Sequence, residues 1–118
     1  MRDGSQGMKY IDDMMARLAP KHKLHISLYG DDNSKRLTGH HETSSCESFS
    51  YGVANRAASF RIPTQTKFDN GKGYVEDRRP ASNINPYVVG AIIADSSLLT
   101  ESKAGPLIEH FEKWNLWR

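Results

Sequence analysis

The sequence predicts an α+β fold in which helices pack on a mostly antiparallel sheet. Apolar residues within 5–19 recur every three or four positions, which is typical of an amphipathic helix. Apolar and polar residues alternate within 24–29, which is typical of a strand. Two further extended segments, 51–63 and 74–80, flank a turn that contains an Asn-Gly dipeptide, and this indicates a hairpin.

Composition and charge limit the classes of protein to consider. The 118 residues suit one domain, and a net charge of +2 argues against bulk nucleic-acid binding. No apolar run approaches the roughly 18 residues of a membrane span, and no apolar segment of a secretory signal follows Met1. The single cysteine, Cys46, excludes an intramolecular disulfide and fits a reducing compartment. We therefore expect a cytoplasmic protein that binds neither nucleic acid nor membrane.

The first helix is expected to begin near Ser5, which can cap it, and to end at Pro20. Its apolar stripe consists of Ile11, Met14, Met15 and Leu18. The strand that follows is expected to bury one apolar face. That face consists of Leu24, Ile26 and Leu28. His22 and His25 are then expected to be polar residues on a solvated face.

Residues 35–45 are polar and weakly periodic, which predicts a surface loop. Its neighbouring histidines, His40 and His41, diverge on an extended chain and are not expected to bind one metal ion together. Glu42 has two interpretations. It is either a solvated carboxylate or a mobile base that accepts a proton from a cationic substrate.

The predicted hairpin carries an unusual number of arginines. Arg56 and Arg61 are an odd number of positions apart, so a regular strand would point them to opposite faces. Either a bulge turns one of them, or Arg56 precedes the regular strand. Guanidinium groups suit planar anions with several oxygens, such as carboxylates and phosphates.

On the return strand, Tyr74, Glu76 and Arg78 share one face. An aromatic ring, a hard oxygen ligand and a fork of donors would suit a nucleotide, a divalent cation and a carboxylate. The alternative is a salt-bridged sheet surface in which Glu76 pairs with Arg78 or Arg61.

A second helix is predicted over 86–99, with Asn85 as N-cap and Pro86 in its first turn. It is apolar on most faces and is therefore expected to be buried on several sides. The last segment, 100–118, is expected to be a helical tail. Its stripe contains Trp114 and Trp117, and it either folds back on the core or forms an association surface.

Several ordered motifs together resemble glutamine synthetase of the eukaryotic type. They are Arg36-Leu37-Thr38-Gly39, His41-Glu42-Thr43-Ser44, Gly52-Val53-Ala54-Asn55-Arg56, Arg61-Ile62-Pro63 and Gly73-Tyr74-Val75-Glu76-Asp77-Arg78-Arg79-Pro80. The resemblance covers residues 1–99 and implies the C-terminal part of that family's catalytic domain. Two departures are visible: Thr64 replaces a commonly basic residue, and Asn85 replaces an aspartate.

The resemblance implies a ligase that joins L-glutamate and ammonia with ATP and Mg²⁺ or Mn²⁺, through a γ-glutamyl phosphate. Arg36 and Arg78 are similar to residues that contact glutamate or phosphate. Glu42 resembles the flap carboxylate that takes the proton of ammonium. The nucleotide side is implied for Arg56, Arg61 and Tyr74, and metal ligation for Glu76.

The family also forms homo-oligomeric rings, and its remaining metal-binding residues lie upstream of the motifs found here. This leaves two expectations. The chain is either the C-terminal piece of a ligase, inactive alone, or a truncated non-catalytic homologue that binds nucleotide or associates with full-length subunits.

Overall fold

The computed structural model describes residues 5–41, 43–99 and 104–114, and it confirms an α+β architecture. The first predicted helix is confirmed as α1, Gly7–Leu18. Its apolar stripe turns inward, and Ile11, Met15 and Leu18 are buried completely. The N-cap position is occupied by Gln6 rather than Ser5, without a side-chain capping hydrogen bond, so the predicted Ser5 cap is wrong.

The predicted strand over 24–29 is wrong, because this segment is helical. A 3₁₀ turn, Ala19–Lys21, contains Pro20 and leads directly into α2, His22–Ser27. Pro20 therefore ends α1 without ending the helical path, since a proline is tolerated in the first turn of the next helix. His22 and His25 are buried, not solvated, because three residues bring helical side chains to the same face.

The segment predicted as a loop begins with a short helix, α3, Asn33–Arg36. Beyond it, an isolated antiparallel bridge joins Thr38 to Ser45. Leu37 is buried beside this bridge, whereas His40 and His41 are exposed. Between the two bridge partners the described residues, 39–41 and 43–44, lie outside helices and strands, and the loop prediction holds for these residues.

The sheet has three short strands: β1, Tyr51–Val53; β2, Phe60–Ile62; and β3, Glu76–Asp77. The strands lie in the order β1-β2-β3. β2 and β3 are antiparallel, as the hairpin predicts, whereas β1 and β2 are parallel, so the sheet is mixed. The expected strand over 51–63 is thus two strands, and Arg56 lies in the connection between them.

The connection from β2 to β3 contains α4, Thr64–Phe68, and then a tight turn. Gly71 has a φ of +82° in this turn, and a Cβ atom there would overlap the carbonyl carbon of Gly7. Only glycine therefore lets the turn approach the start of α1 this closely. The contact fixes the hairpin connection against the first helix.

The two C-terminal helices are α5, Pro86–Leu98, and α6, Ala104–Trp114. The predicted cap of α5 is confirmed, because the Asn85 side chain accepts hydrogen bonds from the backbone N–H groups of Tyr87 and Val88. Phe111 is buried, so α6 folds back on the core as one of the two interpretations predicts. The side chain of Trp114 and the whole of Trp117 lie outside the described part of the chain.

Two apolar clusters hold these elements together. One joins α2, α5 and α6, and it contains Leu28, Tyr29, Val88, Ile92, Ala104 and Phe111. The other joins α1 to the sheet, and it contains Ile11, Met15, Leu18, Phe60 and Ile62. Within the described residues, no helix is long and apolar enough to cross a membrane.

Candidate functional site

The outer face of the sheet brings together three of the residues predicted to form a site. Arg61 on β2 lies directly opposite Glu76 on β3, and its Nε atom lies 2.7 Å from Oε2 of the carboxylate. Arg78 donates from Nη1 to both carboxylate oxygens of Glu76, each at 3.3 Å. All three side chains are half-buried. The salt-bridged sheet surface that the sequence left open is therefore present.

Arg56 and Arg36 are connected to this face through backbone carbonyl groups. Arg78 donates from Nε to the carbonyl oxygen of Arg56 at 2.9 Å, which ties the β1–β2 connection to β3. Arg36 donates from Nη2 to the carbonyl oxygens of Arg79 at 2.7 Å and Pro80 at 3.1 Å. In this structure Arg36 therefore stabilises the chain that follows β3, a contact that the sequence did not predict.

Two predicted site residues remain, Tyr74 and Glu42, of which the structure describes only Tyr74. Tyr74 has a 62% exposed ring, and its carbonyl oxygen accepts a hydrogen bond from the Thr66 hydroxyl. Glu42 lies outside the described residues, so its predicted role as a proton acceptor stays a prediction.

A divalent metal ion does not fit the outer face with the residues described. Glu76 is the predicted ligand, but both of its carboxylate oxygens already contact arginine donors. Among residues 5–41, 43–99 and 104–114, no group of three His, Cys, Asp or Glu side chains lies close enough to hold a metal. A hard cation needs several oxygen ligands, so Glu76 alone is insufficient.

The inner face of the sheet carries a buried charged cluster that the sequence analysis missed. The Arg79 side chain is completely buried. It donates from Nε to Asp77 Oδ1 at 2.9 Å and from Nη2 to Oδ2 at 3.0 Å, which is a bidentate ion pair. Its guanidinium carbon lies 4.8 Å from the centre of the Phe60 ring and 5.1 Å from that of Tyr29. The cation thus sits among aromatic rings that favour it.

Helix α2 supplies the other partners of Arg79. The Nη1 atom of Arg79 lies 3.1 Å from Nδ1 of His22. The Nη2 atom of Arg79 lies 3.2 Å from Nδ1 of His25. Because arginine is only a donor, both histidines accept through Nδ1 and are neutral, with the proton on Nε2. Nε2 of His25 then donates to the Ser96 hydroxyl at 2.7 Å, which joins α2 to α5.

The electrostatics of this cluster follow from its burial. Burial, followed by the positive charge of Arg79, lowers the pKa of His25 to about 4. The same two causes, in the same order, lower the pKa of His22. Burial, followed by the charge of Asp77, raises the pKa of Tyr29, whose hydroxyl donates to Asp77 Oδ2 at 2.8 Å. The cluster therefore holds one cation, one anion and two neutral imidazoles.

The sequence contains a helical spacing that could have predicted the shared position of these histidines. His22, His25 and Tyr29 are spaced at i, i+3 and i+7, which places them on one helical face. The apolar residues Leu24, Ile26 and Leu28 alternate at intervals of two, and this alternation favoured a strand over a helix.

Comparison with known proteins gives a consistent set of relatives. No family model matches the chain. The chain is 55% identical over 93 residues to a glutamine synthetase from Agaricus bisporus and 57% identical over 90 residues to one from Neurospora crassa. It is 51% identical over 107 residues to a glutamine synthetase from Yarrowia lipolytica. These matches cover 79%, 76% and 84% of the chain, but only 26%, 25% and 29% of the relatives. The chain thus spans about a quarter of the length of the curated relatives it matches.

Proposed function

The chain belongs to the glutamine synthetase family, and from this premise we propose that it contributes one wall of a glutamate–ammonia ligase site. The supporting observation is the identity of 51–57% to relatives of that name. The matched residues form part of the catalytic domain. The reaction proposed for the whole protein is ATP-dependent formation of glutamine through a γ-glutamyl phosphate.

The chemistry proposed for the outer face is the binding of phosphate and carboxylate oxygens. Phosphoryl transfer depends mostly on positioning and on neutralising negative charge, and planar guanidinium groups provide both. Arg56, Arg61 and Tyr74 would contact ATP. Arg36 and Arg78 would contact glutamate or the transferred phosphoryl group.

The proposed site requires an exchange of partners at Glu76. In the structure this carboxylate neutralises part of the positive charge of Arg61 and Arg78. A substrate phosphate would therefore compete with Glu76 for the two guanidinium groups. Since the two arginines are half-buried, their contact with an anion is screened less than a contact in open solvent.

The other proposed parts lie outside the described residues or outside this chain. Glu42 would accept the proton of ammonium and so produce the ammonia that attacks the acyl phosphate. Mg²⁺ or Mn²⁺ would need further carboxylate ligands from other parts of the protein. A homo-oligomeric ring and a cytoplasmic location complete the proposal for the whole protein.

A chimera tests this proposal directly. The matched 93-residue segment of the Agaricus bisporus relative is replaced by the corresponding residues of this chain. We expect the chimera to form glutamine from glutamate, ammonia and ATP. Within it, Arg78→Gln should lower kcat/KM by about a hundredfold, since one donor to developing negative charge is worth this much.

The matched control is Lys67→Gln, which removes an exposed positive charge on α4. Its kcat/KM is expected to stay within about twofold of the unsubstituted chimera, because a solvated charge outside the site is screened. A folded, assembled chimera without activity would contradict the proposal. Full activity of the Arg78→Gln chimera would contradict the role of the outer face.

A further inference from the structure

Successive side chains of β3 and the residues that follow it point to opposite sides of the sheet. Glu76 contacts both Arg61 and Arg78 on the outer face, whereas Asp77 and Arg79 lie on the inner face. The register explains this division, because Glu76 is opposite Arg61 and Asp77 is opposite Phe60. A shift of this chain by one residue would exchange the two faces.

The inner face fixes the chain more firmly than the outer face does. The Arg79 guanidinium is completely buried and has five polar contacts: two to Asp77 and one each to His22, His25 and Tyr29. The Asp77 carboxylate also accepts from the backbone N–H of Arg79 at 3.1 Å. Moving Arg79 would leave a buried charge without these partners, so the cluster strongly favours one backbone position.

The backbone of Arg79 is held as well as its side chain. Its carbonyl oxygen accepts from Asn33 Nδ2 at 2.7 Å and from Arg36 Nη2 at 2.7 Å. The Asn33 side chain also accepts from Nε of Arg36, which orients that guanidinium. Arg79 thus joins α2, α3 and the sheet. At the same place, Nη2 of Arg36 lies 3.4 Å from the carbonyl oxygen of Arg78.

We propose that Arg79, together with Asp77, is a positioning residue that sets the directions of Arg78, Glu76 and Arg36 on the outer face. The proposal rests on the proposed function, in which the outer face of the sheet binds ATP. Arg79 itself lies on the opposite side of the sheet from the proposed site and is completely buried there. It acts by holding residues 76–80 in one register and by presenting its carbonyl oxygen to Arg36.

The test uses the complete 118-residue chain with two variants. Arg79→Lys keeps the charge but loses the planar fork that pairs with Asp77. Tyr29→Phe keeps the ring but removes the hydroxyl that contacts both Asp77 and Arg79. Phe111→Leu on α6, which packs against α5, is the control for a general loss of stability. Urea unfolding shows which variants are folded under the conditions of the assay.

Two readouts are measured on the folded variants: the dissociation constant for ATP, and the NMR signal of the Arg78 Nε–H group. That group donates to the Arg56 carbonyl oxygen, so its signal reports the position of Arg78. We expect Arg79→Lys to weaken ATP binding roughly tenfold, as removal of a partner that orients a binding group does. We expect its Arg78 signal to shift or disappear. Tyr29→Phe should change both readouts in the same direction by a smaller factor, and Phe111→Leu should change neither.

The outcomes separate this proposal from the proposed function. If the unsubstituted chain does not bind ATP, this result contradicts the ATP-binding role of the outer face in the isolated chain. The Arg78 signal still tests the positioning role of Arg79. If Arg79→Lys does not fold, Tyr29→Phe decides. An unchanged Arg78 signal in the folded Arg79→Lys variant, or in Tyr29→Phe where that variant decides, overturns the proposal.

Discussion

At the scale of single residues, the central feature is a completely buried arginine that is fully partnered. A buried charge is costly unless hydrogen bonds and an opposite charge replace water. Arg79 has Asp77 as its counter-ion, two histidine acceptors and the Tyr29 oxygen. The two imidazoles must be neutral for this arrangement, so the stability of the cluster depends on pH.

The unfolding free energy should fall as the pH is lowered from about 6.5 towards 4. The pKa of His25 is about 4 in the folded chain and 6.5 without these surroundings. Between these values the unfolded chain binds the proton and the folded chain does not. The contribution of neutral His25 to the unfolding free energy is therefore fully present above pH 6.5. It decreases as the pH falls towards 4, by about 3 kcal/mol in total for a shift of this size. Urea unfolding measured between pH 7 and 4 tests this.

His25→Gln and His40→Gln separate this effect from the titration of carboxylates. His40→Gln is the matched control for loss of a histidine, because His40 is exposed on the surface. His25→Gln should make the dependence of stability on pH shallower, although it also lowers stability at pH 7. An NMR titration in which His25 has a pKa near 6.5 would contradict the burial of a neutral imidazole.

At the scale of elements, the sequence predicted those helices whose signals agree with one another. The stripe of α1 and the Asn85-Pro86 start of α5 each combine an apolar pattern with a recognisable boundary. The segment 22–29 has conflicting signals, because its apolar residues alternate while its histidines and Tyr29 have helical spacing. Burial of the charged cluster decides between these patterns, and a single sequence does not reveal that tertiary contact.

The start of α5 provides a test of local capping. Asn85→Ala should lower the unfolding free energy by about 1 kcal/mol, because the N–H groups of Tyr87 and Val88 lose their acceptor. Asn85→Asp keeps the acceptor and adds a negative charge near the helix N-terminus. It should therefore be as stable as the unsubstituted chain or slightly more stable. Equal stability of all three chains in urea would contradict the cap.

Two glycines should respond to alanine in opposite directions. Gly71→Ala should be destabilising by more than about 1 kcal/mol, since Gly71 has a positive φ and its Cβ would overlap the backbone of Gly7. Gly90 is within α5, and a Cβ there meets no atom within 4 Å. Gly90→Ala should therefore stabilise the helix by up to about 1 kcal/mol. Thermal unfolding of both variants is the measurement, and equal shifts of Tm would contradict it.

At the scale of the whole molecule, the sequence predicted the outer face better than it predicted the core. Arg61, Glu76 and Arg78 lie together because side chains alternate along paired strands, and this rule can be applied to a sequence. The parallel pairing of β1 and β2 was not predictable in this way. The connection between them is only six residues long, whereas parallel strands normally need about a dozen. The cluster around Arg79 joins residues up to 57 positions apart, which a local pattern does not encode.

The arrangement of charges predicts that the purified 118-residue chain forms no glutamine. Glu76 contacts both Arg61 and Arg78, so the arginines proposed to bind phosphate and carboxylate oxygens are partly neutralised in this chain. Activation of the γ-carboxylate needs positive charge arranged around the phosphoryl group on several sides. We therefore expect no glutamine by mass spectrometry after incubation with glutamate, ammonium, ATP and Mg²⁺. The relative from Neurospora crassa is the positive control. Glutamine formation that Arg78→Gln abolishes would show that one wall suffices for the reaction.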